Sequence, residues 1–244
     1  MRAVFLGLSL AAGLAGSLTG QASAEQRPAP PAGHTVFTSV YDLSPLPTFS
    51  GTVAQYLPDP YGGISGLLLT DGTEILFAPD IGSAVSGLAK PGSRITGRGL
   101  KARSAPVIRA FSLTGSGRSV EDDGFQRSLP GLDQTPGPDI SVQSVVAHPL
   151  YDLHGSVTGV ILKDQTVVHI RSEDISRLSD WLRPGQVIHV AGTGHSSALG
   201  VALNAREIGP EGGKSVQITP EGSVPPGPAA GSPGYDVILG NLSK

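Results

Sequence analysis

The chain contains no cysteine among its 244 residues. Disulfides, thiolate catalysis and cysteine-ligated zinc or iron–sulfur sites are therefore excluded. Charge is sparse too. Lys and Arg number 17 against 20 Asp and Glu, a formal net charge of −3, and a dedicated nucleic-acid binder would carry a basic balance. Aromatic residues make up only 5%, so stacking platforms are few. Glycine (34) and proline (21) are instead plentiful, above ordinary usage yet short of a disordered low-complexity chain. One or two small cores fit such a composition.

The amino terminus reads as an export signal. Arg2 supplies a positive start, Ala3 to Gly16 is apolar, and Ala22-Ser23-Ala24 is an A-x-A cleavage pattern before polar Glu25-Gln26-Arg27. The apolar stretch is too short for a spanning helix, and no other run of eighteen apolar residues follows. Residues 1–24 are thus expected to be a signal peptide, and the product periplasmic or secreted.

An internal repeat organises the rest. Residues 50–99 align without a gap on 143–192, with identities at Val53/Val146, Asp59/Asp152, Gly62/Gly155, Gly66/Gly159, Asp71/Asp164, Thr73/Thr166 and Pro91-Gly92/Pro184-Gly185. Beyond Gly99 the offset grows from 93 to 95 residues, so Ala110 meets Ala205. This two-residue insertion, between Gly192 and Gly200, is expected in a loop.

Within each copy the pattern predicts three strands, a helix and two strands. Gly51 to Leu57 and Gly63 to Leu69 read as strands, and Asp71-Gly72 is a hairpin turn leading to Thr73 to Phe77. Val85, Leu88 and Ala89 then step at helical spacing after Asp80, as Ile175, Leu178 and Leu182 do after Ser172-Glu173-Asp174. Pro-Gly stops both helices. Ser93 to Gly99 and Pro106 to Leu113 complete the first copy. This is the order of a five-stranded OB barrel, so a mainly β fold of two tandem OB-type barrels is expected. Each should close around its own core, with Leu178 and Leu182 plugging the second barrel and Trp181 on its rim. In the second copy Gln165 stands where the first has the turn glycine.

The pattern GLLLTDGTEILFAPD…KPGSRITGRG resembles exported bacterial OB-type domain proteins, a family with no assigned activity. The resemblance lies in turns and core positions, and it implies a fold without any catalytic residue. The expected organisation is a Pro-rich arm (25–48), repeat 1 (49–114), a linker (115–141), repeat 2 (142–209) and a Gly/Pro-rich tail (210–244). Within that tail Tyr235 to Leu239 is a short apolar run that either docks on a barrel or frays.

Motifs for chemistry are weak. Gly213-Lys214-Ser215 lacks the earlier glycine of a phosphate loop, since position 208 is Ile208. Gly194-His195-Ser196-Ser197-Ala198 falls one residue short of a nucleophile elbow and lies between two strands. Gly192-Thr193-Gly194 lacks the third glycine of a dinucleotide fingerprint. Five of the six histidines fall in repeat 2, and only His148 and His154 with Asp152 could cluster. No H-x-H or H-E-x-x-H spacing supports a metal there, and neither metal nor cofactor is expected.

The basic residues of repeat 1 say more. From Ile81 to Val120 there is no acid, while Lys90, Arg94, Arg98, Lys101, Arg103, Arg109 and Arg118 all lie there. Arg98, Lys101 and Arg103 cluster at the loop between the fourth and fifth strands, which with the first-strand loop frames the usual OB binding face. Tyr56 and Tyr61 in the first-strand region are candidate stacking platforms. The bland alternative is a solvated charged edge that blocks strand pairing. The expectation is a non-enzymatic envelope module for a glycan or protein partner. The alternative is a polyanion or single-stranded nucleic-acid binder using the basic loop.

Overall fold

The computed structural model describes residues 39–122 and 137–218. The expected signal peptide (1–24) and the Tyr235–Leu239 run lie outside the described residues. In the first half β1 (Thr48–Pro58), β2 (Ile64–Leu69) and β3 (Glu74–Leu76) form a meander. A 3-10 turn (Pro79–Ile81) then enters α1 (Gly82–Leu88), followed by β4 (Arg94–Lys101), β5 (Val107–Gly115) and a short β6 (Arg118–Glu121). The second half repeats this as β7 (Asp139–Tyr151), β8 (Val157–Leu162), β9 (Val167–His169), α2 (Ser172–Leu178), β10 (Val187–Ser197), β11 (Gly200–Pro210) and β12 (Val216–Gln217).

Each half is a closed five-stranded OB-type barrel. The order β3-β2-β1-β4-β5 closes through parallel β3–β5 pairing, and β9-β8-β7-β10-β11 through parallel β9–β11 pairing. Among the described residues no strand is shared between the two sheets. The register irregularities repeat as well: breaks at Val53/Gln55, Leu57/Pro58 and Arg98/Gly99 recur at Val146/His148, Leu150/Tyr151 and Ala191/Gly192. A bulge re-aims the side chains that follow it, so its recurrence supports duplication beyond the identities.

The helices fill the barrel ends as expected. Leu178 (2% exposed) and Leu182 are buried in the second core, with Trp181 half-buried against it. Val85, Leu88 and Ala89 do the same in the first. Neither helix is closed by a side-chain cap: the cap positions are Ile81 for α1 and Arg171 for α2. Asp174 is instead clamped by Arg171 and by Arg177, whose Nε lies 2.7 Å from Asp174 Oδ1.

Three boundaries differ from expectation. β6 lies in the expected linker because Val120, fully buried, covers the first core. β12 lies in the expected tail, where Ile218 is buried on the second core. The two-residue insertion does not form a loop. It lengthens the β10–β11 ladder, which stays paired out to Ser197 and Gly200.

A third apolar cluster joins the barrels: Leu57, Leu68, Leu76, Ala105 and Val107 meet Leu150, Ile161, Val167 and Ala202. Leu57 and Leu150 are repeat equivalents, as are Leu68 and Ile161, so the barrels pair through like faces in a pseudo-twofold manner. Cross-contacts follow the same symmetry. Gln55 Nε2 donates to the Gln165 carbonyl on the β8–β9 turn, and His148, the equivalent of Gln55, faces Gly72 on the β2–β3 turn.

Candidate binding groove and sealed barrel faces

The face that commonly binds ligands in an OB barrel spans strands two and three and the loops framing them. Here both copies of that face are turned inward. Strands β1, β2, β3 and β5 supply the joining cluster from one side, and β7, β8, β9 and β11 from the other. The framing loops interlock: Gly62 of the β1–β2 turn lies against His195, and Gly155 of the β7–β8 turn against Ala105. His195 Nδ1 donates to the Pro60 carbonyl at 2.8 Å.

This arrangement sorts the candidate site residues. Tyr56 is 9% exposed, packs in the first core, and donates its hydroxyl to the Ser86 carbonyl. Burial raises its phenol pKa. No ring face is open for stacking, which corrects the sequence reading. The cause is the bulge between Val53 and Gln55: two successive residues leave the core, so Val53 and Tyr56 both point inward. Tyr61 is half-buried on the β1–β2 turn, its N–H bound to Asp59 Oδ1, between two residues that contact His195. The structure therefore separates both tyrosines from the basic cluster.

Arg98 and Lys101 fall on β4 and Arg103 in the loop behind it. Along β4 Arg94, Thr96, Leu100 and Lys101 are exposed, Arg98 is half-buried, and Ile95, Gly97 and Gly99 are buried. Strand alternation thus aims Arg94, Thr96 and Arg98 outward in one row, with the arginines about 13 Å apart at the usual strand rise. Beside this row β1 contributes Thr48 and Ser50, paired with Arg98 and Thr96, and β5 contributes Ser112 and Thr114. Thr96 and Arg98 line, with these four hydroxyl residues, a groove of about 450 Å³ on barrel 1, and Arg94 lies further along the same strand. Phe49 lies across Gly97, where any side-chain carbon would strike its ring at 2.6 Å. Glycine at 97 therefore leaves room for that ring, which packs on the first core beneath the groove.

Two of the basic side chains are already engaged. Arg98 Nη1 donates to the Ser44 and Leu46 carbonyls, tying down the incoming arm. Asp42 on that arm has a lowered pKa, first from Ser44 hydrogen bonds and least from Arg98. Arg109 pairs with buried Asp122 at 2.5 Å and covers Phe111. Arg94, Lys101 and Arg103 are exposed and form no ion pair among the described residues.

The histidines do not converge. His154 Nδ1 lies 3.6 Å from Asp152, but His148 points toward barrel 1, and no three potential ligands group to hold a metal among the described residues. Ser196 sits in the β10 ladder, paired with Val201, so it lacks a nucleophile's turn.

The sequence signalled the sealed faces without being read that way. Leu67-Leu68-Leu69 and Val160-Ile161-Leu162 are continuous apolar runs, the mark of strands buried on both sides. Leu67 and Leu69 face the first core while Leu68 faces the second barrel.

No protein-family model and no curated protein sequence matches the chain. Among solved structures it is similar to a deletion variant of the single-stranded DNA binding protein from Thermus aquaticus. That match has 12% identity and a TM-score of 0.23, covering 72% of this chain and 96% of that one. The wild-type form of the same protein gives 13% identity and a TM-score of 0.21, covering 74% and 95%. Neither superposition is close enough to transfer a property of that protein to this chain.

Proposed function

We propose that this chain is an exported, non-enzymatic binding module that holds a polyanionic chain on the outer face of barrel 1. The row of Arg94, Thr96 and Arg98, with Lys101 and Arg103 beyond it and hydroxyls on both flanks, is the observation that carries the reading. Sulfated or carboxylated glycans and single-stranded nucleic acids share the chemistry this row would recognise: anionic groups every few ångströms with hydrogen-bonding groups between them. The sealed inner faces direct that contact outward. The apolar start and A-x-A pattern of the first 24 residues support export into the envelope, where an anionic glycan is the natural partner. No cofactor or reaction enters this reading.

Retention on immobilised heparin and on immobilised oligo-dT, at low and moderate salt, tests it. Replacing Arg94, Lys101 and Arg103 together by Ser should abolish retention, because each lost phosphate or sulfate contact removes counterion release. Preference for heparin favours the glycan, and preference for oligo-dT favours the nucleic acid. Unchanged retention, or none by the unaltered chain on either matrix, overturns the reading and leaves the charges as a solubilising edge.

A further inference from the structure

The duplication gives the seam between the barrels two equivalent clefts, and they have met different fates. At one, the β10–β11 hairpin, longer by two residues than its counterpart, reaches over the β1–β2 turn. His195 holds the Pro60 carbonyl, Gly200 lies against the Pro58 ring, and Leu199 packs on the first barrel's core. His169 adds a contact of its Nε2 to the Pro58 carbonyl at 3.2 Å. Pro60 is buried as a result. This cleft is closed.

At the other, the covering element is the shorter β4–β5 hairpin, whose Ala105 meets Gly155. Leu153, the counterpart of Pro60, is left 52% exposed on the β7–β8 turn. Leu76 stands at the position equivalent to His169 and has no polar atom with which to span to the Tyr151 carbonyl. A cavity of about 380 Å³ remains, walled by Leu76, Phe77, Leu150, Tyr151 and Leu153. Its size and its place between two folding units are those of small-molecule sites.

The polar atoms of this wall restrict the ligand. Ser65 and Thr158, equivalent residues from the two barrels, bring hydroxyls to it. Asp152 and His154 bring a carboxylate and an imidazole, the His169 ring reaches the wall with its Nε2 held at the Pro58 carbonyl, and no Lys or Arg lines it. An anion entering here would lose its water and meet the Asp152 carboxylate with no Lys or Arg to pair it, which is costly. We propose that this cleft binds a small, uncharged, largely apolar molecule. The site is separate from the arginine groove and takes ligands of opposite character.

Two dyes sharing one ring system test this: neutral N-phenyl-1-naphthylamine and anionic 8-anilinonaphthalene-1-sulfonate, each followed by fluorescence on titration into the full chain. The neutral dye should saturate at one site, and the sulfonate should bind at least about tenfold more weakly, reflecting the unpaired charge. Leu153→Asp should weaken the neutral dye by a similar factor, and its unchanged thermal midpoint would show an intact fold, since Leu153 is half-exposed. Arg94→Ser should leave dye binding untouched. Absence of saturable binding, equal affinity for the two dyes, or indifference to Leu153→Asp overturns the proposal.

Discussion

The two repeats share strand order, bulges and helix placement, yet they differ at the centre of the surface through which they meet. In the first, Glu74 on β3 is 1% exposed, its carboxylate accepting the Tyr151 N–H at 3.1 Å. The equivalents of Glu74 and Tyr151 are Val167 and Pro58. Where one repeat offers a backbone donor, the other offers a carboxylate; where proline removes the donor, the facing position is apolar. A buried polar group is tolerated when its partner is present and costly when it is not. The difference teaches that duplication created two like faces, and paired substitutions then made them complementary. Repeat 1 fits repeat 2 better than either would fit itself.

The sharpest way to break this comparison is to make repeat 2 like repeat 1. Val167→Glu would bury a second carboxyl group, opposite a proline with no N–H to give. A loss of about 3–5 kcal/mol is expected, the range for an uncompensated buried ionisable group, read from denaturant unfolding of the full chain. Glu74→Val removes a charge-prone group and leaves one N–H unpaired, so its loss should be smaller, about 1–3 kcal/mol. Equal losses would mean the asymmetry is incidental.

The helix plugs offer a second contrast. Leu178 in repeat 2 occupies the place of Val85 in repeat 1, and both are buried. Leu178→Ala should cost about 2–5 kcal/mol, since it leaves the larger cavity. Val85→Ala should cost less, about 1–2 kcal/mol by methyl groups removed. A Leu178→Ala loss no larger than that of Val85→Ala would show that the second barrel collapses around its plug.

Glu74 also makes the junction sensitive to pH. Burial pushes its pKa from 4.5 up to about 8, only partly opposed by the Tyr151 N–H. The carboxylate in turn raises the Tyr151 phenol, after the effect of burial. The folded state thus holds a proton that the unfolded chain has released, and stability falls as pH rises between about 4.5 and 8. The slope from this one group is at most about 1.4 kcal/mol per pH unit. Glu74→Gln keeps an acceptor for the Tyr151 N–H and cannot ionise, so its stability should lack this slope across that window. A slope unchanged by the substitution would assign the pH dependence to other groups.

Strand order and helix placement were legible in the sequence because they depend on local signals: period-two alternation, Asp-Gly, and Pro-Gly stops. The candidate basic site was placed at the loop, on Arg98, Lys101 and Arg103, and it left out Arg94, which shares a strand face with Arg98. Tyr56 was misplaced because a bulge shifts alternation by one residue, and no residue type marks the bulge. The sealed faces escaped because pairing two barrels is a long-range event, its trace only the unbroken apolar runs at Leu67–Leu69 and Val160–Leu162. The fate of the insertion depended on whether β10 and β11 continued to pair, which Gly192 to Gly200 alone does not fix.

The smallest contrast lies at the β2–β3 and β8–β9 turns. Gly72 has φ of 84° in the first, and Gln165 adopts φ of 72° in the second. Glycine visits this left-handed region freely, whereas a residue with a Cβ pays about 1–2 kcal/mol to enter it. The second hairpin accepts that strain because Asp164 Oδ1 takes the Thr166 N–H and Leu162 donates to the Thr166 carbonyl, both within the turn. Across the seam, the Gln165 carbonyl receives Gln55 Nε2, a contact made by the backbone that glycine would keep. Gln165→Gly should therefore stabilise the chain by a little under the strain released, about 0.5–1 kcal/mol, because glycine also gains freedom in the unfolded state. The reverse change, Gly72→Gln, should destabilise by a similar amount, and His148 facing that turn would crowd the new side chain further. A neutral or destabilising Gln165→Gly, measured by thermal unfolding, would show that the glutamine side chain itself holds the seam.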